Sequence, residues 1–361
     1  MGLAPYMEWA KRHVRQRVSL SGSNLLHCEL ADLPGAREAL ELHGDNDNGY
    51  RPLVAAIAST YGVGPDMVAA AQGTSGANFL VFAAMVKAGD DVLVERPGYD
   101  PLMGPPALLG ASVVRFDRRF EDGYRLDPDA VRAAITPRTR LIVVTNAHNP
   151  TGVVAADADL DEIGRLAERH GARVLVDEVY LDTAAFAAAR PAAARSPVFI
   201  STNSLTKSYG LAGLRCGWVI AAPEVAEAVR RARDIVDGSG PFPTDRLAVL
   251  AFSMLDRLAA RAQGILTTNG RAVREFLAAR QELEAVLPQA GTVVFPRIRD
   301  IQDAGPFVEH LARDFDTDVV PGRFFQAPAH FRVAFGGKAD VLAEGLALLG
   351  KALDSNYFEN A

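Results

Sequence analysis

The sequence predicts an α/β protein: a large domain whose mostly parallel sheet is flanked by helices, plus a smaller α+β domain. Three observations carry this. From about Gly73 to Val236, short runs rich in Val, Ile and Leu alternate with amphipathic segments, and turn residues separate them. A shorter alternation of strand and helix patterns runs from about Thr292 to Asp354. A chain of 361 residues also exceeds the size at which one hydrophobic core keeps growing, so two cores are expected.

Taken in order, residues 1–40 carry no strand series, and this arm is expected to join the smaller domain with residues 251–361, leaving 41–250 as the large domain. The strand candidates are DVLVE at 91–95, SVVRF at 112–116, RLIVVTN at 140–146, ARVLVDEVY at 172–180 and LRCGWVIA at 214–221. Between them, helical patterns cover Leu126 to Ile135 and Asp159 to His170, with Gly171 as a C-cap. Parallel strands need such crossovers. After Pro223 the pattern is helical to about Leu287, broken at DGSGPFPTD. The smaller domain then reads VVFPRI, FVEHLARDF, HFRVAFG and VLAEGLALLGKAL. An Ala-rich patch, AAFAAARPAAAR, marks a loop or mobile helix, and the tail SNYFENA is expected outside the fold.

Composition narrows the function. The net charge is -6 and no Lys/Arg cluster is dense enough for a phosphate backbone, so nucleic acid is not an expected partner. The first residues hold no apolar run long enough for a signal peptide, Tyr6 stands where a myristoylation motif wants Ser or Thr, and no segment approaches a membrane span. Only Cys28 and Cys216 are present, read as structural thiols of a reducing, cytoplasmic compartment. No metal-ligand set is expected.

In open α/β sheets, ligands sit at the carboxyl ends of strands. The polar residues there form one set: Asn146 to Gly152 after RLIVVT, Asp177 to Tyr180 after ARVLV, and Ser201 to Lys207 after VFI, continuing through Gly210, Gly213 and Arg215. NPTG at 149–152, DEVY, SLTKSYGLAGLRCGW at 204–218, GTSGA at 73–77, RPGYDPL at 96–102 and FRVAF together resemble the fold-type I pyridoxal-phosphate enzymes of the class I/II aminotransferase group, aspartate aminotransferase-like, over nearly the whole chain.

The resemblance implies pyridoxal 5'-phosphate as cofactor, an α-amino acid and a 2-keto acid as substrates, and a homodimer. Lys207 would form the Schiff base and then act as the base at the reacting carbon. Asp177 would pair with the pyridine nitrogen, while Asn149 and Tyr180 would reach the phenolic oxygen. Tyr99 would stack on the ring. Thr74 and Ser75 at the opening of a helix, with Ser204 and Arg215, would hold the phosphate. Arg332 would grip the substrate carboxylate, with Asn149 and Gly22 lining the substrate side. The bland alternatives are a surface lysine, a loop-capping aspartate, a turn asparagine, core tyrosines and an edge-strand arginine in a surface ion pair. Arg297 reads as a solvated strand-end arginine rather than a reader of a second substrate charge.

One departure stands out. Similar enzymes carry a tyrosine ahead of the glycine equivalent to Gly49, reaching the partner subunit's phosphate, whereas here Tyr50 follows it in HGDNDNGYRPL, which leaves the roles of His43, Asn46, Asn48 and Tyr50 open. The scaffold also admits other outcomes. The runner-up is a carbon-sulfur lyase or a cyclase similar to capreomycidine synthase, which parts of the chain resemble. A ligand-sensing regulator is disfavoured, since residues 1–40 leave no room for a helix-turn-helix module.

Overall fold

A computed structural model describes residues 4–184 and 189–355. Its centre is a seven-stranded sheet of β1 (Val68–Gln72), β2 (Asp91–Arg96), β3 (Ser112–Asp117), β4 (Thr139–Thr145), β5 (Arg173–Asp177), β6 (Phe199–Ser204) and β7 (Cys216–Ile220). The spatial order is β1-β7-β6-β5-β4-β2-β3. The β2, β3, β4, β5 and β6 strands pair in parallel, and β7 runs antiparallel to both β6 and β1.

Helical crossovers cover both faces of the sheet, so β2, β4 and β5 are buried on both sides and read as continuous apolar runs. Val92, Val94, Leu141 and Val143 pack on one face with Ala77, Leu80 and Val81 of the helix Gly73–Met85 and Val225 and Val229 of the helix Pro223–Val236. Leu93, Ile142, Val144 and Val174 turn to the other face and meet Leu160 and Ile163 of the helix Asp157–Arg169. That helix ends at Arg169, capped by His170, and Gly171 follows with φ +63°, the left-handed turn expected at a helix C-terminus.

A separate cluster gathers the C-terminal elements, while Leu33, Ala36, Leu53, Ile57, Ala248 and Leu258 pack with Trp218 and Ile220 of the large sheet. Val294 and Phe331 to Phe335 pack with Phe307 and Leu311 of the helix Gly305–Phe315 and with Leu342 to Leu353 of the helix Ala339–Leu353. The strand Phe331–Ala334 is flanked, antiparallel, by Val293–Val294 and Val320–Pro321. The N-terminal arm reaches this cluster, with Val18–Ser19 pairing in parallel with Thr317–Asp318. Its Leu20 lies in the same core.

Three boundaries differ most from the sequence reading. The ARVLVDEVY strand stops at Asp177, because Glu178 to Tyr180 turn away into a 3-10 turn. The LRCGWVIA strand begins at Cys216, after Arg215 takes φ +51°. The long helical stretch ends at Ala278 rather than near Leu287, since Leu283–Glu284 pairs with Arg297–Ile298. Residues 1–40 hold one two-residue strand, Val18–Ser19, which is no series. Residues 185–188 of the Ala-rich patch and 356–361 of the tail lie outside the described residues.

Candidate active site

The site lies at the carboxyl end of the parallel strands. Thr145, Asp177 and Thr202 occupy one rung across β4, β5 and β6, so their side chains share a face. The helix Gly73–Met85 lies over that face and sends Asn78 onto the rung. Its amide nitrogen donates to Asp177 Oδ2 at 2.8 Å, and its oxygen accepts from the Thr202 hydroxyl at 2.6 Å. The backbone N–H of Val179 donates to Asp177 Oδ1 at 3.2 Å. Burial nonetheless pushes the Asp177 carboxyl up to about 6, against the lowering effect of these bonds and of the Lys207 charge. A carboxylate held this way is poised for a cationic partner.

β6 ends at Ser204, whose hydroxyl accepts from the Thr206 N–H at 3.3 Å and caps the single helical turn Leu205–Ser208. That turn carries Lys207. Its amine donates to the Ser23 hydroxyl at 2.5 Å. Desolvation first, then repulsion by Arg332 and Arg215, lowers the amine from its ordinary 10.5 to about 7, with Asp177 pulling the other way. Lys207 stands at the wall of a cavity of about 640 Å3 whose lining includes Ser75, Tyr99, Thr206, Arg215 and Gly22.

Around this cavity the residues singled out from sequence fall into two groups. Ser75 is exposed at the cavity, on the first turn of the helix Gly73–Met85. Arg215 is also exposed there; one guanidinium nitrogen donates to the Gln72 carbonyl at 3.3 Å. Gly73, at φ +70°, leaves space for that guanidinium: a Cβ there would meet Arg215 Nη2 at 2.5 Å. Thr74 and Ser204 are instead buried against each other, with Thr74 Oγ1 donating to Ser204 Oγ at 2.9 Å, and neither lines the cavity.

The second group lies toward the smaller domain. Arg332 is 1% exposed, yet among the described residues it has no carboxylate within ion-pair distance. Its Nη1 donates to Asn149 Oδ1 at 3.3 Å, one Nη2 hydrogen bond reaches Tyr6 Oη at 2.6 Å, and Nε has no partner. The Gly22 carbonyl lies 3.5 Å from Nη2. Asn149 is positioned through its N–H, which donates to Thr145 Oγ1 at 2.9 Å; that hydroxyl in turn donates to the wholly buried Glu95 at 2.6 Å. Tyr180 spends its hydroxyl on the Ser23 carbonyl at 3.0 Å. Tyr99 lines the cavity with its hydroxyl on Met7 Sδ at 3.3 Å, and burial holds its phenol well above the ordinary range.

Arg332 is thus not an edge-strand arginine in a surface pair, whereas Arg297 is a partly exposed residue paired with Glu284 and lying over the Phe120 ring. Tyr50 accepts from Arg246, Asn46 donates to the Gly240 carbonyl and Asn48 accepts from Arg231, so all three serve local contacts. Both cysteines are free, Cys216 buried and Cys28 half-buried. Sequence reasoning did not single out Asn78, Ser23, Thr206 and Tyr6. Asn78 had a signal: a lone amide one turn after Ser75 in an otherwise apolar helix. Thr206 lines the cavity with a buried hydroxyl lacking any partner, and its neighbour Lys207 was the only cue.

The arrangement fits a phosphorylated, aromatic, nitrogen-containing cofactor on three counts. Gly73 gives room for a guanidinium beside the first amides of a helix. Asp177 is a buried carboxylate without a cationic side chain bonded to it. Arg332 is a buried cation without an anion.

Comparison with known proteins agrees. Capreomycidine synthase of Streptomyces vinaceus is 30% identical, covering 98% of this chain and 94% of that protein. A probable aspartate/prephenate aminotransferase of Thermus aquaticus is 27% identical over 94% of this chain and 88% of its own length. Among solved structures, a PLP-dependent aminotransferase from Streptococcus suis 89-1591 superposes with a TM-score of 0.91 at 26% identity, covering 98% of both chains. The model of one family, aminotransferase class I and II, matches residues 34–349, and the chain belongs to that family.

Proposed function

We propose that Lys207 carries the chemistry of a pyridoxal-phosphate-dependent aminotransferase that moves an amino group between an α-amino acid and a 2-keto acid. The observation that carries this reading is a lysine amine brought down to about 7 at a cavity wall, between a buried carboxylate and a buried, anion-free arginine. Pyridoxal 5'-phosphate, when bound, supplies an aldehyde for the amine and a ring that accepts the electron pair left on removal of the substrate α-proton.

The chain's own residues divide the remaining work. Asp177, oriented by Asn78, holds the proton on the pyridine nitrogen. Asn149 and Tyr180 would reach the phenolic oxygen, and Tyr99 would cover the ring. The first amides of the helix Gly73–Met85, with Ser75 and Arg215, hold the phosphate; Thr74 and Ser204 brace that corner from behind. Arg332 takes the substrate carboxylate beside Gly22. Lys207, close to neutrality, is able to accept the α-proton and return it, because its proton affinity matches the working pH. In this reading residues 41–250 hold the cofactor, 1–40 and 251–361 cover the substrate, and the chain works as a homodimer in the cytoplasm, where free thiols such as Cys28 and Cys216 persist.

The test is an absorption spectrum of the protein with pyridoxal phosphate beside Lys207→Ala, titrated with a panel of amino acids and then with pyruvate or 2-oxoglutarate. A visible band absent from the variant, lost with one amino acid and restored by a keto acid, supports transamination. The likeness to capreomycidine synthase keeps a second reading alive: a band that never cycles but yields elimination or ring products assigns a lyase or cyclase. No lysine-dependent band overturns the proposal.

A further inference from the structure

Two hydrogen-bond donors, one on a residue that lines the cavity and one on the arginine bonded to it, have no acceptor among the described residues. One is Arg332 Nε. The other is the hydroxyl proton of Tyr6, whose oxygen only accepts, from Arg332 Nη2 at 2.6 Å. Both side chains are more than nine-tenths buried, and Tyr6 lines the cavity. Buried donors are nearly always partnered, so two that converge without an acceptor mark the seat of an anionic group that brings its own oxygens.

Tyr6 is locked in this position. It sits in the helix Pro5–Arg12, where its own N–H donates to the buried Asp100 Oδ2 at 2.6 Å. The ring is hemmed by Tyr99 at 5.8 Å, Phe325 at 5.8 Å and Phe324 at 6.1 Å, and the Arg332 guanidinium lies 5.1 Å from its centroid. At the far end, His13 holds the helix down from two sides, its ring nitrogens facing the Trp9 carbonyl at 3.0 Å and Asp318 Oδ2 at 2.9 Å. A hydroxyl held this rigidly gives directional binding at little entropic cost.

We propose that Tyr6 is a substrate-binding residue: its hydroxyl and Arg332 together grip the α-carboxylate, so that the helix Pro5–Arg12 is a wall of the substrate site. This rests on the reading that Arg332 takes the carboxylate of an amino or keto acid. The Tyr6→Phe change keeps the ring and its packing and removes the donor alone.

The experiment titrates the full chain, without added cofactor, with pyruvate and with 2-oxoglutarate by calorimetry, comparing wild type with Tyr6→Phe. The expected result is an affinity about tenfold weaker for the keto acid that wild type binds better. In the cofactor-loaded protein the matching result is KM raised about tenfold with kcat unchanged, since the contact is made equally before and during reaction. Unchanged affinity overturns the proposal, as does tighter binding, which would make Tyr6 a plug that the carboxylate must displace. A wild type that binds neither keto acid overturns it as well. The lysine-dependent absorption band is a separate readout: its absence sinks the role of Lys207, while a Tyr6→Phe chain that keeps both band and affinity sinks only that of Tyr6.

Discussion

Replacing Lys207 with methionine removes an amine that the fold holds partly out of water and keeps an unbranched side chain in its place. The drop from the ordinary 10.5 to about 7 corresponds to about 5 kcal/mol at ~1.36 kcal/mol per tenfold change in proton affinity. The side chain is only half-buried, so residual hydration brings the figure to about 2–5 kcal/mol. Between about pH 7 and 10.5 the unfolded chain holds a proton that the folded chain has released, so wild-type stability rises with pH across that window. Below it the full penalty applies; above it there is none. Lys207→Met is therefore expected to be more stable than wild type near neutrality and below, with the advantage shrinking as pH climbs. Urea unfolding of the cofactor-free proteins at about pH 6, 8 and 10, followed by tryptophan fluorescence, measures the gap directly. A gap that does not change with pH, or a less stable variant at the lowest pH, would refute the argument that burial rather than a specific contact sets the amine's proton affinity.

Asp177→Asn is expected to stabilise the cofactor-free protein at neutral pH, because the folded carboxyl holds its proton to about 6 while the unfolded one loses it near 3.8, so wild type loses stability as pH rises between these values. The same change should cut kcat about 10²–10³-fold, as read from steady-state rates with saturating cofactor. Glu95→Gln breaks the buried pair with Arg118 at 3.0 Å and weakens the two hydrogen bonds from Thr145; a loss of about 3–5 kcal/mol in urea unfolding is expected. Gly73→Ala forces a Cβ against the Arg215 guanidinium at φ +70°, and should weaken pyridoxal phosphate binding about tenfold or more in an absorbance titration.

Much of this architecture could be read from the residues because the physics is local. β2 to β5 announce themselves as apolar runs, and Lys207, Asp177 and Arg332 sit beside distinctive neighbours. What escaped was less local. β1, VAAAQ, is made of residues with weak strand preference and exists because β7 and a helix pack on it. An apolar run carries no direction, so the antiparallel course of β7 was invisible. Tyr6 offered no sequence cue at all, its partner Arg332 being 326 residues away. Ser204 and Thr74 were read as phosphate-holding residues by resemblance, but their hydroxyls bond each other and neither lines the cavity.

The arm's long-range contacts bear on how the molecule comes together. Lys207 and Arg215 lie within a single excursion between two neighbouring strands, whereas the arm waits for a distant stretch of chain: Val18 pairs with Thr317, and His13 meets Asp318 across 305 positions. Closing so wide a loop is slow compared with the nearby pairings. During synthesis the large sheet can assemble while the arm still dangles. The corner around Lys207 and Arg215 would then form before Tyr6 reaches Arg332, so the grip on the substrate would be the last part of the site to be completed.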